Sequence, residues 1–215
     1  MFFDLNEAAL TAGVVAVLWA LSVSSWVVIL YKTWWIWRAG RDVPAAQRAF
    51  WLSPDPHQAH QALAVLDRQA LLQPLTSAAL STGSEPAAGA PGWTDDSATR
   101  QRQVLISLRQ VTQQLQWGQP WLACVASIAP FVGLLGTVWG LLDAMSDLPA
   151  ADQAAWQDWV PALSHSLHLT ALGLCVAVPA LLAHHLMAPR LSALQSSIED
   201  FTADLMEQVH SDPHA

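Results

Sequence analysis

Charge is scarce in this chain: of 215 residues only 12% are charged, while 53% are hydrophobic. A soluble domain of this size carries charge on roughly a quarter of its residues, so the ordinary soluble class is excluded and the membrane class leads. Cysteine is nearly missing. Cys124 and Cys175 lie far apart inside apolar runs, with no C-x-x-C or Cys/His ligand spacing, and are expected to be small packed residues with no disulfide or metal role. A basic leader is missing too: Asp4 and Glu7 precede the first apolar run and no small-residue cleavage site follows it, so no removable signal peptide is expected. The net charge of −8 reflects signs segregated along the chain, and nothing reads as a nucleic-acid-binding surface.

What is present is three long uncharged runs. Ala8 to Tyr31, rich in Val, Leu, Ala and Trp, makes about 36 Å of helix against a hydrocarbon core of about 30 Å. Gln110 to Leu142 is longer than a bilayer needs, so its first turns, with Val111, Leu115 and Trp117, are expected to project into water as helix. Trp159 to Pro189 is the third. Pro130 and Pro179 fall inside these runs and predict kinks, because neighbouring membrane helices can satisfy the carbonyls that proline frees.

The basic residues set the orientation. Lys32, Arg38, Arg41, Arg48, Arg68, Arg100, Arg102 and Arg109 all lie between the first and second runs, and Arg190 follows the third. The N-terminal tip and the short connection carry only acids: Asp4, Glu7, Asp143, Asp147, Asp152 and Asp158. The positive-inside rule therefore places the long loop and C-terminal tail in the cytoplasm, and the N-terminus and short loop outside. Tryptophans agree: Trp34, Trp35, Trp37, Trp117 and Trp121 gather at the inner boundary and Trp156 and Trp159 at the outer one. The expected organisation is an all-α, polytopic membrane protein with three transmembrane helices and long helices extending into the cytoplasm. Its parts are residues 1–31 (N-terminus and first span), 32–118 (cytoplasmic helices with a linker at 81–93), 119–142 (second span), 143–158 (periplasmic loop), 159–189 (third span) and 190–215 (C-terminal helix and tail).

In the cytoplasmic portion Phe50, Leu63, Leu66 and Leu71 suggest amphipathic helix between Pro44 and Leu80, interrupted by the Ser53-Pro54-Asp55-Pro56 turn signal. A new helix is expected to start near Asp95, Asp96 and Ser97 and to continue through Val104, Leu108, Val111 and Leu115 into the second span. In the tail Leu191, Leu194, Ile198, Phe201 and Leu205 recur at steps of three and four. Such stripes pack either within the chain or in a bundle built from several subunits.

The second and third spans each carry a stripe of small residues. On the second, Ala126, Pro130, Gly133, Thr137, Gly140 and Ala144 occupy one helix face; on the third, Ala162, Ser166, Thr170, Gly173, Ala177 and Ala180 do the same. Each face bears one threonine, and in antiparallel spans Thr137 and Thr170 fall at similar depths. Two readings are open. Small faces let helix backbones approach closely, and polar groups at membrane depth line cavities or bundle interiors.

The run Ala126-Ser-Ile-Ala-Pro-Phe-Val-Gly-Leu-Leu-Gly-Thr-Val-Trp-Gly140, together with Leu169-Thr-Ala-Leu-Gly-Leu-Cys-Val-Ala-Val-Pro-Ala180, resembles the paired signature of the MotA/TolQ/ExbB proton-channel family, and within it the ExbB/TolQ branch. Ser25-Trp26 with Lys32 resembles the end of that family's first span, while the cytoplasmic linker matches only in length and helical character. The resemblance implies a homo-oligomer, a pentamer, enclosing the single-span helices of an ExbD/TolR-like partner that bears an intramembrane aspartate. Proton flow would then drive work delivered to a TonB- or TolA-like rod. It also implies that Thr137 and Thr170 form the polar ring around that aspartate, with Ala126, Pro130, Gly133, Gly140, Ser166, Gly173 and Ala177 as the small pore-facing stripe. The branch often has a glutamate five residues before the third-span threonine; this chain has His165, at the expected pore mouth, and a histidine is neutral or cationic near neutral pH.

Other classes are weighed against this. A TolQ-like role in the Tol-Pal envelope system is the nearest alternative to an ExbB-like role in TonB-dependent transport, and a non-conducting scaffold is the alternative of another class. An intramembrane hydrolase on Ser164, His165, Ser166 and His168 lacks a G-x-S-x-G elbow, so no enzyme is expected. The pair His165 and His168 has no further ligand candidate nearby, and His184 with His185 reads as interfacial, so neither metal nor cofactor is expected.

Overall fold

The computed structural model describes residues 7–53, 63, 65–80, 96–146 and 155–211. Regular structure among them is entirely α-helical: α1 (Glu7–Leu52), α2 (Gln73–Leu80), α3 (Asp96–Gln116), α4 (Gln119–Ser146) and α5 (Ala155–Ser211). Three stretches of helix are long and apolar enough to cross a membrane. At 46 and 57 residues, α1 and α5 far exceed the roughly 20 residues that a bilayer requires, as the three-span architecture with helices extending beyond the membrane anticipates. The linker expected at 81–93 and residues 147–154 of the connection expected at 143–158 lie outside the described residues.

Helix ends follow from proline and glycine. The helix α1 passes through Pro44 and stops at Leu52. Ser53 precedes Pro54, whose ring disfavours the α region for the residue before it. There the Ser53 amide donates to the Phe50 carbonyl (3.3 Å) and its hydroxyl to the Ala49 carbonyl (2.8 Å), satisfying two C-terminal acceptors.

The continuous helix expected from Asp96 into the second span is instead broken at Trp117 and Gly118. Gly118 has φ +85°, in the left-handed region, and a Cβ there would sit 3.1 Å from Val28 Cγ1. Pro120 then falls in the first turn of α4, where a missing N–H costs nothing. By contrast α5 runs unbroken through Pro161, Pro179 and Pro189, so the third span and the tail are one helix.

The described chain forms two compact units. The first combines residues 1–32 with 118–187. Leu18, Ala129 and Ala177 form one buried cluster in it, with Val14, Leu21, Val132 and Val176 packed on them, and Leu122, Val125, Leu169 and Ala180 are buried as well. Much of its apolar surface is open, including Trp19, Val27, Phe131, Leu135, Leu172 and Leu182. A water-soluble monomer rarely leaves so contiguous an apolar surface bare; lipid tails or other helices are its natural solvent.

The second unit combines residues 33–117 with 188–215 and has an interior like that of a soluble bundle. Ile36, Ala39, Val43, Ala46 and Phe50 from α1 are buried, as are Val104, Val111 and Leu115 from α3. The entire tail stripe, Leu191, Leu194, Ile198, Phe201 and Leu205, is buried as well, so intrachain packing already accounts for it. Phe50 meets Phe201 edge to face at 5.3 Å between centroids, and Gln47 Nε2 donates to the Ser197 carbonyl at 2.9 Å. Burial of each large apolar side chain contributes roughly 1.5–3 kcal/mol. The short helix α2, which packs on α3, is started by Asp67: its buried carboxylate accepts from the amides of Leu72 (2.6 Å) and Gln73 (3.1 Å).

Candidate functional site

The second and third spans meet at glycines. Gly133 on α4 and Gly173 on α5 are both buried, and the approach there is limited by backbone. A Cβ on Gly133 would lie 2.6 Å from the Leu169 carbonyl oxygen and 3.1 Å from the Cα atoms of Gly173 and Thr170. One on Gly173 would lie 2.6 Å from the Ala129 carbonyl oxygen. Further along α4, a Cβ on Gly136 would meet Leu169 Cδ1 and Val14 Cγ1, each at 2.9 Å, and one on Gly140 would meet Ser166 Oγ at 2.6 Å. Three spans therefore touch at Gly136, whereas Gly133 and Gly173 make a two-helix crossing.

At this crossing sit the two threonines. Thr170 Oγ1 lies 3.3 Å from Thr137 Oγ1, and Thr137 Oγ1 lies 2.7 Å from the Leu134 carbonyl oxygen. The polarity of this chain is forced. A carbonyl can only accept, so the single Thr137 proton is directed at Leu134, and Thr137 can then only accept from Thr170. With its own proton directed at Thr137, Thr170 keeps lone pairs for a further donor. Both residues are half-exposed. In this arrangement the pair can accept from a donor such as water or a protonated carboxylic acid.

Of the small-residue stripes, Gly133, Gly140, Ser166 and Gly173 join this crossing within one chain, and Ala177 is buried in the cluster with Leu18 and Ala129. The close-packing reading of the stripes describes these positions. Ala126 and Pro130 stand half-exposed on α4. The helix α5 carries His165, whose side chain lies outside the described residues. His168 is exposed, and its Nδ1 donates to the Ser164 carbonyl of its own helix at 2.7 Å. His184 and His185 stack edge to face at 5.3 Å. Among the described residues no group of three or more His, Cys, Asp or Glu is placed to hold a metal ion.

Gly136, Val14 and Leu169 are contact residues outside the stripes read from sequence. The signal for Gly136 was the Gly-Leu-Leu-Gly-Thr-Val-Trp-Gly run itself, which places glycines on two adjoining faces of α4, one for each neighbouring span.

Long helices with lipid-compatible surfaces, joined by a glycine crossing that bears paired hydroxyls, define a polytopic helical membrane protein. Residues 73–200 match the model of the MotA/TolQ/ExbB proton channel family, and the chain belongs to that family. It is 33% identical over 212 residues, 93% of this chain and 81% of the relative, to the biopolymer transport protein ExbB of Xanthomonas campestris pv. campestris strain B100. It is 28% identical over 213 residues, 91% of this chain and 88% of the relative, to the Tol-Pal system protein TolQ of Haemophilus influenzae. The ExbB protein of Neisseria gonorrhoeae is 31% identical over 103 residues, 48% of this chain and 47% of its own length. The chain is therefore a proton channel subunit of the ExbB/TolQ type.

Proposed function

We propose that this chain is the ExbB-like wall of a proton-motive-force-driven motor in the bacterial inner membrane, which energises TonB-dependent outer-membrane transport together with an ExbD-like single-span partner. The observation that carries the reading is the half-exposed hydroxyl pair Thr137 and Thr170, 3.3 Å apart in spans that contain no Asp, Glu, Lys or Arg of their own. Threonine neither takes up nor releases a proton near neutral pH. The third span does carry histidines, His165 and His168 among them, but the titrating group beside the threonines is assigned largely to another helix, where a carboxylic acid on a partner span would donate to Thr170 when protonated and lose that bond on ionising. Burial there would raise the partner's pKa toward the working range. Several copies of this chain, five by family resemblance, would enclose the partner.

Co-expression with an ExbD-like protein tests the assembly. The two should purify together from mild detergent, and native mass spectrometry should count several copies of this chain per complex, five being expected. Recovery of this chain only as a partner-free species would instead favour the scaffold reading. The ExbB and TolQ roles separate by which deletion, of an uptake system or of an envelope-constriction system, this chain restores.

The orientation belongs to the same proposal and rests on the basic residues between the first two spans. A reporter fused near Gly89 should behave as cytoplasmic and one inserted near Ala151 as periplasmic. The reverse pattern would turn the motor's proton entrance to the wrong side.

A further inference from the structure

The helix α1 carries two arginines stacked on exposed tryptophans where the first apolar run ends. The Arg38 guanidinium lies 5.3 Å from the Trp34 ring centroid and that of Arg41 lies 5.0 Å from Trp37, both at a spacing of four residues. Trp34 is 54% and Trp37 63% exposed, large values for so large an aromatic side chain. On the opposite side of the same turns Trp35, Ile36, Ala39 and Val43 are buried, so the Trp/Arg side is the outer face of α1. Stepping back along that face by threes and fours leads to Leu30, Val27 and Val23, all exposed and apolar. The face changes from aliphatic to aromatic-plus-basic within two turns.

That sequence of chemistries matches a lipid monolayer read from tail to headgroup. Aliphatic side chains suit the acyl region, Trp rings settle at the headgroup level, and a guanidinium presents a planar fork to a phosphate. Stacking on an indole holds each guanidinium in place while leaving its edge N–H groups free to donate. Arg38 is shared with Asp42, at 3.5 Å, so Arg41 supplies the larger share of attraction for an anion. The geometry points to Trp34, Trp37, Arg38 and Arg41 as a binding site for the headgroup of an anionic phospholipid at the end of the first span. This goes beyond the proton-channel reading and does not depend on it.

Titration of the purified full-length chain with phosphatidylglycerol or phosphatidylcholine, followed by native mass spectrometry, tests the site through the first lipid bound. The wild-type chain should prefer phosphatidylglycerol about fivefold, the attraction expected of one surface arginine for an anionic headgroup. In Arg38→Gln/Arg41→Gln the preference should fall to about parity. The charge-keeping Arg38→Lys/Arg41→Lys variant, which also guards against a fold effect, should retain most of it, and Arg100→Gln/Arg102→Gln on α3 should leave it unchanged. Equal binding of the two lipids by the wild type, an unchanged preference in the glutamine variant, or an equal loss in the lysine variant would each overturn the site. A change in subunit count in the glutamine variant with lipid preference intact would assign this face to a second copy of the chain and overturn it as well.

Discussion

Gly133→Ala and Gly173→Ala should each loosen the contact between the second and third spans, and more so than alanine at any other described glycine of the spans. An ordinary carbon-to-oxygen contact of this kind is about 3.3–3.6 Å. The 2.6 Å that a Cβ would have to the Leu169 or Ala129 carbonyl forces the helices apart by roughly 1 Å, since backbone cannot rotate out of the way as a side chain can. Overpacking of this order costs about 1–3 kcal/mol. Gly136→Ala and Gly140→Ala meet side-chain atoms of Leu169, Val14 and Ser166 and should cost less. Gly13 and Gly40 have nothing within 4 Å, so alanine there should be neutral or stabilising, by up to about 1 kcal/mol from helix propensity. Thermal unfolding of the six variants in one detergent gives the order directly. Equal tolerance of alanine at Gly133 and Gly13 would show that the crossing is not backbone-limited.

Removing either hydroxyl should stop proton-coupled work while leaving the fold intact. Valine keeps the shape of threonine, and neither hydroxyl holds the helices together: the 3.3 Å contact between them is long and both residues are half-exposed. Thr170→Val deletes the lone pairs kept for a further donor. Thr137→Val leaves Thr170 with a free proton and converts an acceptor into a donor. A hydrogen bond to a charged or developing charged group contributes roughly 1.5–3 kcal/mol, so the occupancy of the productive state should fall about ten- to hundred-fold. Thr170→Ser, which keeps the hydroxyl, should retain most activity. Energy-dependent uptake, measured beside thermal stability, separates the two effects. Wild-type uptake in both valine variants would return the threonines to a packing role.

The three spans and the helical class were legible in the sequence because absence of charge over more than 20 residues has few physical explanations. The paired stripes were legible for a similar reason, since a 3.6-residue period places Gly133, Thr137 and Gly140 on one face whatever that face meets. What it meets was not legible. Small residues suit a close crossing and a polar path alike, and only the backbone contact, so close that a Cβ on Gly133 would lie 2.6 Å from the Leu169 carbonyl oxygen, shows that one chain's own spans take up the glycines. The break at Gly118 was hidden because the apolar rhythm continues across it from Leu115 to Leu122, and one glycine in a helical pattern signals a turn no more strongly than a packing site. The tail stripe from Leu191 to Leu205 likewise advertised a partner surface without saying whose.

Proton flux into sealed vesicles tests the central claim, that this chain provides the acceptor wall of a proton path and a partner provides the titrating group. Vesicles carrying this chain alone should take up protons at the background rate when a potential is imposed, since none of its three apolar runs contains an Asp, Glu, Lys or Arg. Adding the ExbD-like partner should open a flux that disappears when the partner's intramembrane aspartate is replaced by asparagine. Robust flux through this chain alone, unchanged by the partner or by loss of its carboxylate, would contradict it.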